Sequence, residues 1–245
     1  MTMPRYGLYF TTPSDVPLSA SAVSWLGYDA WSGNAVSHAP STGIPDERLR
    51  AITAAPRKYG FHATLKAPFR LAPDHDEGSL LDAMEMFAEK RPSVVIDRIE
   101  CRWIGPFLAL VPDVQGKDIS DLAATIVERF EPFRAPLGRA EIARRLESPL
   151  SAVQREHLDR WGYPYVFDEF RFHMTLTGAL AEELRPAIDA AARRHFRPHL
   201  GKPLTVAALC VFRQDHGDAP FRVLASFPLR SAGLKAGDRF EKLAG

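Results

Sequence analysis

One pentapeptide occurs twice in this chain. Phe61-His62-Ala63-Thr64-Leu65 returns as Phe172-His173-Met174-Thr175-Leu176, 111 residues later. In an extended strand residues i and i+2 share a face. His62 and Thr64 therefore point one way, and Phe61, Ala63 and Leu65 the other. The second copy sets His173 and Thr175 against Phe172, Met174 and Leu176 in the same manner. The fold has to supply two strands, each with a dry face for the core and a wet face bearing an imidazole beside a hydroxyl. Two imidazoles brought to one cleft are a general acid and a general base.

The segments downstream of the two copies are also similar. After the first, Ser79–Lys90 has helical spacing, and Val94–Trp103 and Phe107–Val111 read as strands joined at Gly105-Pro106. After the second come a helix over Ala181–His195 and strands over Leu204–Phe212 and Phe221–Leu229. A first strand is expected over Arg5–Thr11, and helices over Leu18–Trp31, Asp46–Ala54 and Asp118–Phe130. The expected fold class is α+β: two similar halves with two mostly antiparallel sheets and helices outside them. Residues 1–245 read as a single two-lobed domain. Its lobes are headed by motif strands at 58–69 and 166–177, with exchange of the terminal segments between lobes left open.

Charge narrows the partners. The net charge is +1, which argues against long nucleic acid and leaves a small anion, held by cations gathered in a cleft. The segment 139–160 holds Arg139, Arg144, Arg145, Arg155 and Arg160, either a solvated helical face or a basic rim over such a site. Cys101 and Cys210 sit in apolar, strand-like runs and read as buried thiols. The opening MTMPRYGLYF lacks the pattern of a secretory signal, and no apolar run has membrane-spanning length. The expectation is a soluble, cytoplasmic protein with no membrane partner; nothing specifies its oligomeric state.

The residue types fit phosphate-ester chemistry. A histidine titrates near about 6.5, so either protonation state is accessible at neutral pH. One imidazole takes a proton from water while the other gives one to a departing alkoxide. Thr64 and Thr175 supply hydroxyl donors to the non-bridging phosphate oxygens. Lys66 continues the alternation of His62 and Thr64, and Arg171 that of His173; each is a phosphate-binding candidate or a sheet-edge charge. Tyr6, Tyr59, Tyr163 and Tyr165 are candidates to line a pocket. Zinc sites need three or four ligands, and neither His-Glu-x-x-His nor Cys-x-x-Cys occurs, so no metal and no cofactor is expected. A Gly-x-Ser-x-Gly elbow and a phosphate-binding glycine loop are also missing.

Both His-x-Thr-Leu stretches resemble the motif of the two-histidine phosphoesterase superfamily, which includes RNA 2′,5′-ligase-like cyclic phosphodiesterases. Three longer stretches resemble a branch encoded beside phosphonate-degradation genes: Tyr59-Gly60-Phe61-His62-Ala63-Thr64-Leu65-Lys66-Ala67-Pro68-Phe69, Trp161-Gly162-Tyr163-Pro164-Tyr165-Val166, and Phe170-Arg171-Phe172-His173-Met174-Thr175-Leu176-Thr177-Gly178. Arg5-Tyr6 and Trp25-Leu26-Gly27 fit it too. The resemblance implies a pseudo-twofold bilobal fold with a V-shaped cleft between two sheets. It implies catalytic roles for His62 and His173, with Thr64 and Thr175 on the phosphate. It also implies a small phosphorylated metabolite as substrate, such as the ribose 1,2-cyclic phosphate that carbon–phosphorus lyase pathways produce. The alternatives are a 2′,3′-cyclic nucleotide or RNA-end phosphodiesterase, a ligase running the reverse reaction, and a non-catalytic phosphometabolite-binding protein.

Overall fold

The first strand follows its alternation. In β1 (Arg5–Phe10) Tyr6, Leu8 and Phe10 enter the main core, while Tyr9 joins Phe212 and Phe221 in an aromatic cluster on the opposite face. The computed structural model describes residues 3–39 and 42–231. Helix α1 (Pro17–Leu26) stops at Gly27, whose φ of 74° is left-handed, so the expected continuation to Trp31 is replaced by a small hairpin of β2 (Tyr28–Asp29) and β3 (Asn34–Ala35). Helices α2 (Asp46–Ile52) and α3 (Ala54–Arg57) then lead into the first motif strand, β4 (Ala63–Phe69).

The two halves then run in parallel series. The first continues through α4 (Glu77–Ala88), β5 (Val94–Ile96), β6 (Ile99–Ile104) and β7 (Phe107–Pro112). Helices α5 (Lys117–Arg129), α6 (Arg139–Arg145) and α7 (Ala152–Trp161) form the connection. The second half is β8 (Met174–Thr175), α8 (Arg185–Phe196), β9 (Leu204–Val206), β10 (Ala208–Gln214) and β11 (Arg222–Pro228). In both halves the motif strand is followed by a helix and three strands, because the first strand expected after each helix is split in two, into β5 and β6 and into β9 and β10.

The α+β class and the antiparallel pairing are as expected, but the two sheets meet. A seven-stranded antiparallel sheet runs in the order β11-β10-β1-β4-β8-β7-β6. Its halves join at β4 and β8 through one register pair, Ala63 with Met174. The hairpin that follows each motif strand lies in the other half: β6–β7 beside β8, and β10–β11 beyond β1 on the β4 side. The short strands β5 and β9, equivalent in the two halves, pair with each other.

One face of this sheet is the core. Ala63 and Met174 point into it, against Leu80 and Met84 of α4, Leu122 and Ile126 of α5, and Ile188 and Phe196 of α8. Helix α5 alone buries Ile119, Leu122, Ile126 and Val127 along one stripe, each contributing about 1.5–3 kcal/mol. Cys101 and Cys210 are buried free thiols, pushed up to about 12 and about 11 by burial. No helix among the described residues is long and apolar enough to cross a membrane.

Candidate active site

The repeated pentapeptides meet at their central residues. Because Ala63 pairs with Met174 and both point into the core, the residues on either side of each point away from it. Continuing this antiparallel register sets His62 across from Thr175, and Thr64 across from His173. All four line one cleft of about 1300 Å³. The family resemblance implies motif strands facing each other from two sheets; instead they lie side by side, related by a local twofold through the Ala63–Met174 pair.

Both imidazoles are held in the same way. His62 Nδ1 lies 3.0 Å from the Gly60 carbonyl, and His173 Nδ1 lies 2.7 Å from the Arg171 carbonyl, in each case two residues upstream. A carbonyl only accepts, so each Nδ1 carries the hydrogen and each Nε2 is left with its lone pair. The Thr64 hydroxyl, 3.2 Å from His62 Nε2, donates to it. An imidazolium also carries hydrogen on Nδ1, so the bond to the carbonyl survives protonation and only Nε2 changes state. Gly60 has φ 74°, a left-handed backbone, and a Cβ there would lie 2.6 Å from the Ala30 Cβ.

Burial sets the electrostatics. The His62 ring is packed by Tyr9 at 4.2 Å and Tyr59 at 5.7 Å between centroids, though its edge reaches the cleft. Desolvation is the main reason its pKa falls to about 4; the Gly60 carbonyl opposes the fall and the nearby His173 adds to it. His173, beside Phe107 at 5.7 Å, is lowered too, again by desolvation and against its bond to the Arg171 carbonyl. Positive charge is concentrated here as the sequence allowed: Arg5, Lys58, Arg70, Arg144, Arg145 and Arg171 line the cleft against the carboxylates Glu141 and Glu169. Among the described residues no cluster of three or more histidine, cysteine or acidic side chains is arranged to hold a metal.

The family described as "Protein of unknown function (DUF1045)" matches residues 64–222. The chain belongs to the DUF1045 family. This DUF1045 chain is 39% identical over 239 residues to a Janthinobacterium sp. (strain Marseille) protein named ribose 1,5-bisphosphate phosphokinase PhnN, covering 96% of the chain and 53% of that relative. A protein of the same name from Laribacter hongkongensis (strain HLHK9) is 32% identical over 229 residues, covering 94% and 53%. The chain spans about half the length of these curated relatives. Solved structures similar to it include E. coli LigT complexed with 3′-AMP, with a TM-score of 0.47 and 13% identity over 92% of this chain and 97% of that one. TT0787 of Thermus thermophilus has a TM-score of 0.45 and 14% identity over 93% and 98%.

Two expected site residues of the DUF1045 chain lie elsewhere. Thr64 pairs with Tyr9 of β1, but Lys66 pairs with Leu8, so Leu65 is an extra residue that breaks the alternation. Lys66 is thereby turned to the core side, 3% exposed, where its Nζ donates to Glu131 Oε2 at 2.8 Å and the Val127 carbonyl at 3.0 Å. Tyr6 faces the core side of β1 and donates its hydroxyl to Glu77 Oε2 at 2.9 Å; burial pushes its pKa up to about 12. Tyr59, Tyr163, Tyr165 and Arg171 do line the cleft.

Two residues that sequence reasoning passed over matter here, Tyr9 and Gln115, and a third, Arg145, was read only as one of a basic segment. Tyr9 pairs with Thr64 and so shares the cleft face; counting alternate residues from Arg5 through Gly7 would have found it in place of Tyr6. Its ring lies back over Gly7, where a Cβ would come within 2.4 Å of it. Gln115 holds the second motif: its Oε1 accepts from the Phe172 N–H at 2.8 Å and its Nε2 donates to the Phe170 carbonyl at 2.8 Å. A side chain thus takes the bonds that a neighbouring strand would have taken, and β8 is two residues long where a motif strand over 166–177 was expected. Arg145, part of the arginine-rich segment, lines the cleft directly.

Proposed function

We propose that this protein hydrolyses a small cyclic phosphodiester by paired-imidazole acid–base catalysis. The observation that carries the reading is the pairing of the two motifs at Ala63 and Met174, which gives one face two imidazoles with committed Nδ1–H groups and two hydroxyls. His62, neutral at physiological pH because desolvation lowers it to about 4, accepts the proton of the attacking water. The new oxygen–phosphorus bond forms as the ring P–O bond opposite it breaks. His173, protonated with the anionic ester bound, gives its Nε2 proton to the departing sugar oxygen. Thr64 and Thr175 donate to the non-bridging oxygens. The product is a phosphomonoester, and solvent exchange resets the two imidazoles. No step requires a metal.

The substrate we favour is a ribose 1,2-cyclic phosphate bearing a 5-phosphate. Cleavage at the sugar 2-oxygen leaves ribose 1,5-bisphosphate, the compound in the name of both relatives, of which this chain matches about half. A phosphokinase acting on that compound is the class of reaction that would consume the product.

The test is a substrate panel followed by phosphorus NMR in excess chelator. It compares ribose 1,2-cyclic phosphates with 2′,3′-cyclic nucleotides, for wild type, His62→Ala and His173→Ala. Opening of the ribose ester is expected, slowed about 10²- to 10⁴-fold by either substitution. Full turnover in both variants would sink the assignment, and exclusive turnover of the cyclic nucleotides would redirect it to RNA ends.

A further inference from the structure

None of the five arginines of segment 139–160 pairs with a carboxylate among the described residues, and four of them are exposed to water; only Arg145 is withdrawn from it. Arg145, at the end of α6, is half-buried and lines the cleft. Among the described residues its side chain makes no hydrogen bond or ion pair, and its Nε is buried without an acceptor. Its guanidinium lies 5.2 Å from the centroid of the Tyr163 ring, a contact that uses its charge and none of its five N–H groups. Of the two carboxylates that line the cleft, Glu141 is taken by Arg70 at 2.8 Å, and Glu169 accepts from Gln154 Nε2 at 2.7 Å. A cation removed from water without a counter-charge is unfavourable, and burial lowers the pKa of Arg145 accordingly.

The same corner holds other unmet groups. The Tyr9 hydroxyl, on a residue 1% exposed whose ring packs on His62, has no hydrogen-bond partner among the described residues. Arg5 and Lys58 line the same cleft and are bound there only by neutral acceptors, Gln214 Oε1 at 2.6 and 2.8 Å and the Gly217 carbonyl at 2.7 Å. Arg5 lies over Phe221, which stacks on Tyr59, which in turn lies beside His62. Three cations lacking a carboxylate among the described residues thus gather on the His62 side. A cyclic phosphodiester carries one negative charge, and Thr64 and Thr175 suffice to seat it. A phosphomonoester adds about −1.5 to −2, which matches this surplus.

We propose that the cleft holds a second anion subsite, in which Arg145, with Arg5 and Lys58, binds a phosphomonoester on the substrate while the cyclic phosphate lies between the histidines. This rests on the hydrolase reading above and adds to it the residues that would select a cyclic phosphodiester that is also a phosphomonoester. Arg145 is then a specificity residue.

Two measurements on the full chain separate the two ideas. The first compares kcat/KM for ribose 1,2-cyclic phosphate with and without a 5-phosphate. Wild type is expected to prefer the phosphorylated ester about 10- to 100-fold, the worth of charge-assisted hydrogen bonds to one anion. Arg145→Gln is expected to lose most of that preference and Arg145→Lys to retain part of it. No preference in wild type, or an equal slowing of both esters by Arg145→Gln, overturns the subsite. The second measurement is calorimetric binding of ribose 5-phosphate against ribose. Binding of the phosphate that weakens tenfold or more in Arg145→Gln supports the subsite even if neither ester is hydrolysed, which would reject only the catalytic reading. Equal binding by wild type and variant overturns it. Helix α6 buries no residue, so folding does not depend on this side chain, and circular dichroism checks that it is intact.

Discussion

Lowering the pH should unfold this protein in part through His62. In the fold its pKa is about 4, against 6.5 for an ordinary histidine, and desolvation is the principal cause. Between those values the unfolded chain binds a proton that the folded site refuses, so stability rises with pH across the window. The contribution is fully present above about 6.5 and is lost as pH falls toward about 4, reaching about 3 kcal/mol at about 1.4 kcal/mol per pH unit. Between about pH 7 and pH 5 the loss from this one group is about 2 kcal/mol. His62→Gln keeps a polar side chain that does not titrate. Denaturant unfolding of both proteins at both pH values isolates the difference, since every other titrating group is shared. The stability of wild type relative to the variant should fall by about 2 kcal/mol on acidification, and the His62 ring signals in proton NMR should titrate near 4. An unchanged difference between wild type and variant, or a His62 titration near 6.5, would falsify the argument that packing by Tyr9 and Tyr59 keeps this imidazole neutral.

Three substitutions test other parts of the reasoning. Gly60→Ala puts a Cβ 2.6 Å from Ala30 at a φ of 74°, so it should lower thermal stability by about 1–2 kcal/mol or more and shift the carbonyl that orients His62; an unchanged melting temperature counts against this. Gln115→Leu removes both bonds to the backbone at Phe170 and Phe172, and should lower kcat about tenfold or more through misplacement of His173; a variant with normal kcat and raised KM would point to a binding effect. Lys66→Met should leave kcat/KM per folded molecule unchanged, because the side chain points to α5. Its stability cost should be about 1–3 kcal/mol, since Glu131 keeps Arg134 as a partner; loss of activity without unfolding would restore Lys66 to the site.

Much of this arrangement is legible from the residues. The repeated Phe-His-x-Thr-Leu fixes which side chains share a face, and apolar spacing marks the helices and hairpins downstream of each copy. Local pattern fails where the tertiary partner decides. The extra residue at Leu65 is invisible without its neighbour Leu8, and it turns Lys66 from the cleft to the core. The region before Met174 carries strand-like composition, yet its backbone is bonded by the Gln115 side chain rather than a ladder. Tyr6 and Tyr9 are equally aromatic and differ only in parity along β1. The arginines of 139–160 look alike in sequence. Their surroundings separate them: Arg160 lies 4.8 Å over Trp161, whereas Arg145 alone of these five lies over a cleft tyrosine with its Nε buried and unmet.

The single backbone pair between Ala63 and Met174 acts as a ruler. Hydrogen-bonded strands sit about 4.8 Å apart whatever their side chains, so the spacing of the two imidazoles is inherited from the backbone rather than tuned by loops. Such a length resists mutation, because changing it would break the sheet. The connecting insert with Arg144 and Arg145 is under no such constraint. On the reading proposed above, substrate choice can drift there while the two imidazoles keep their distance.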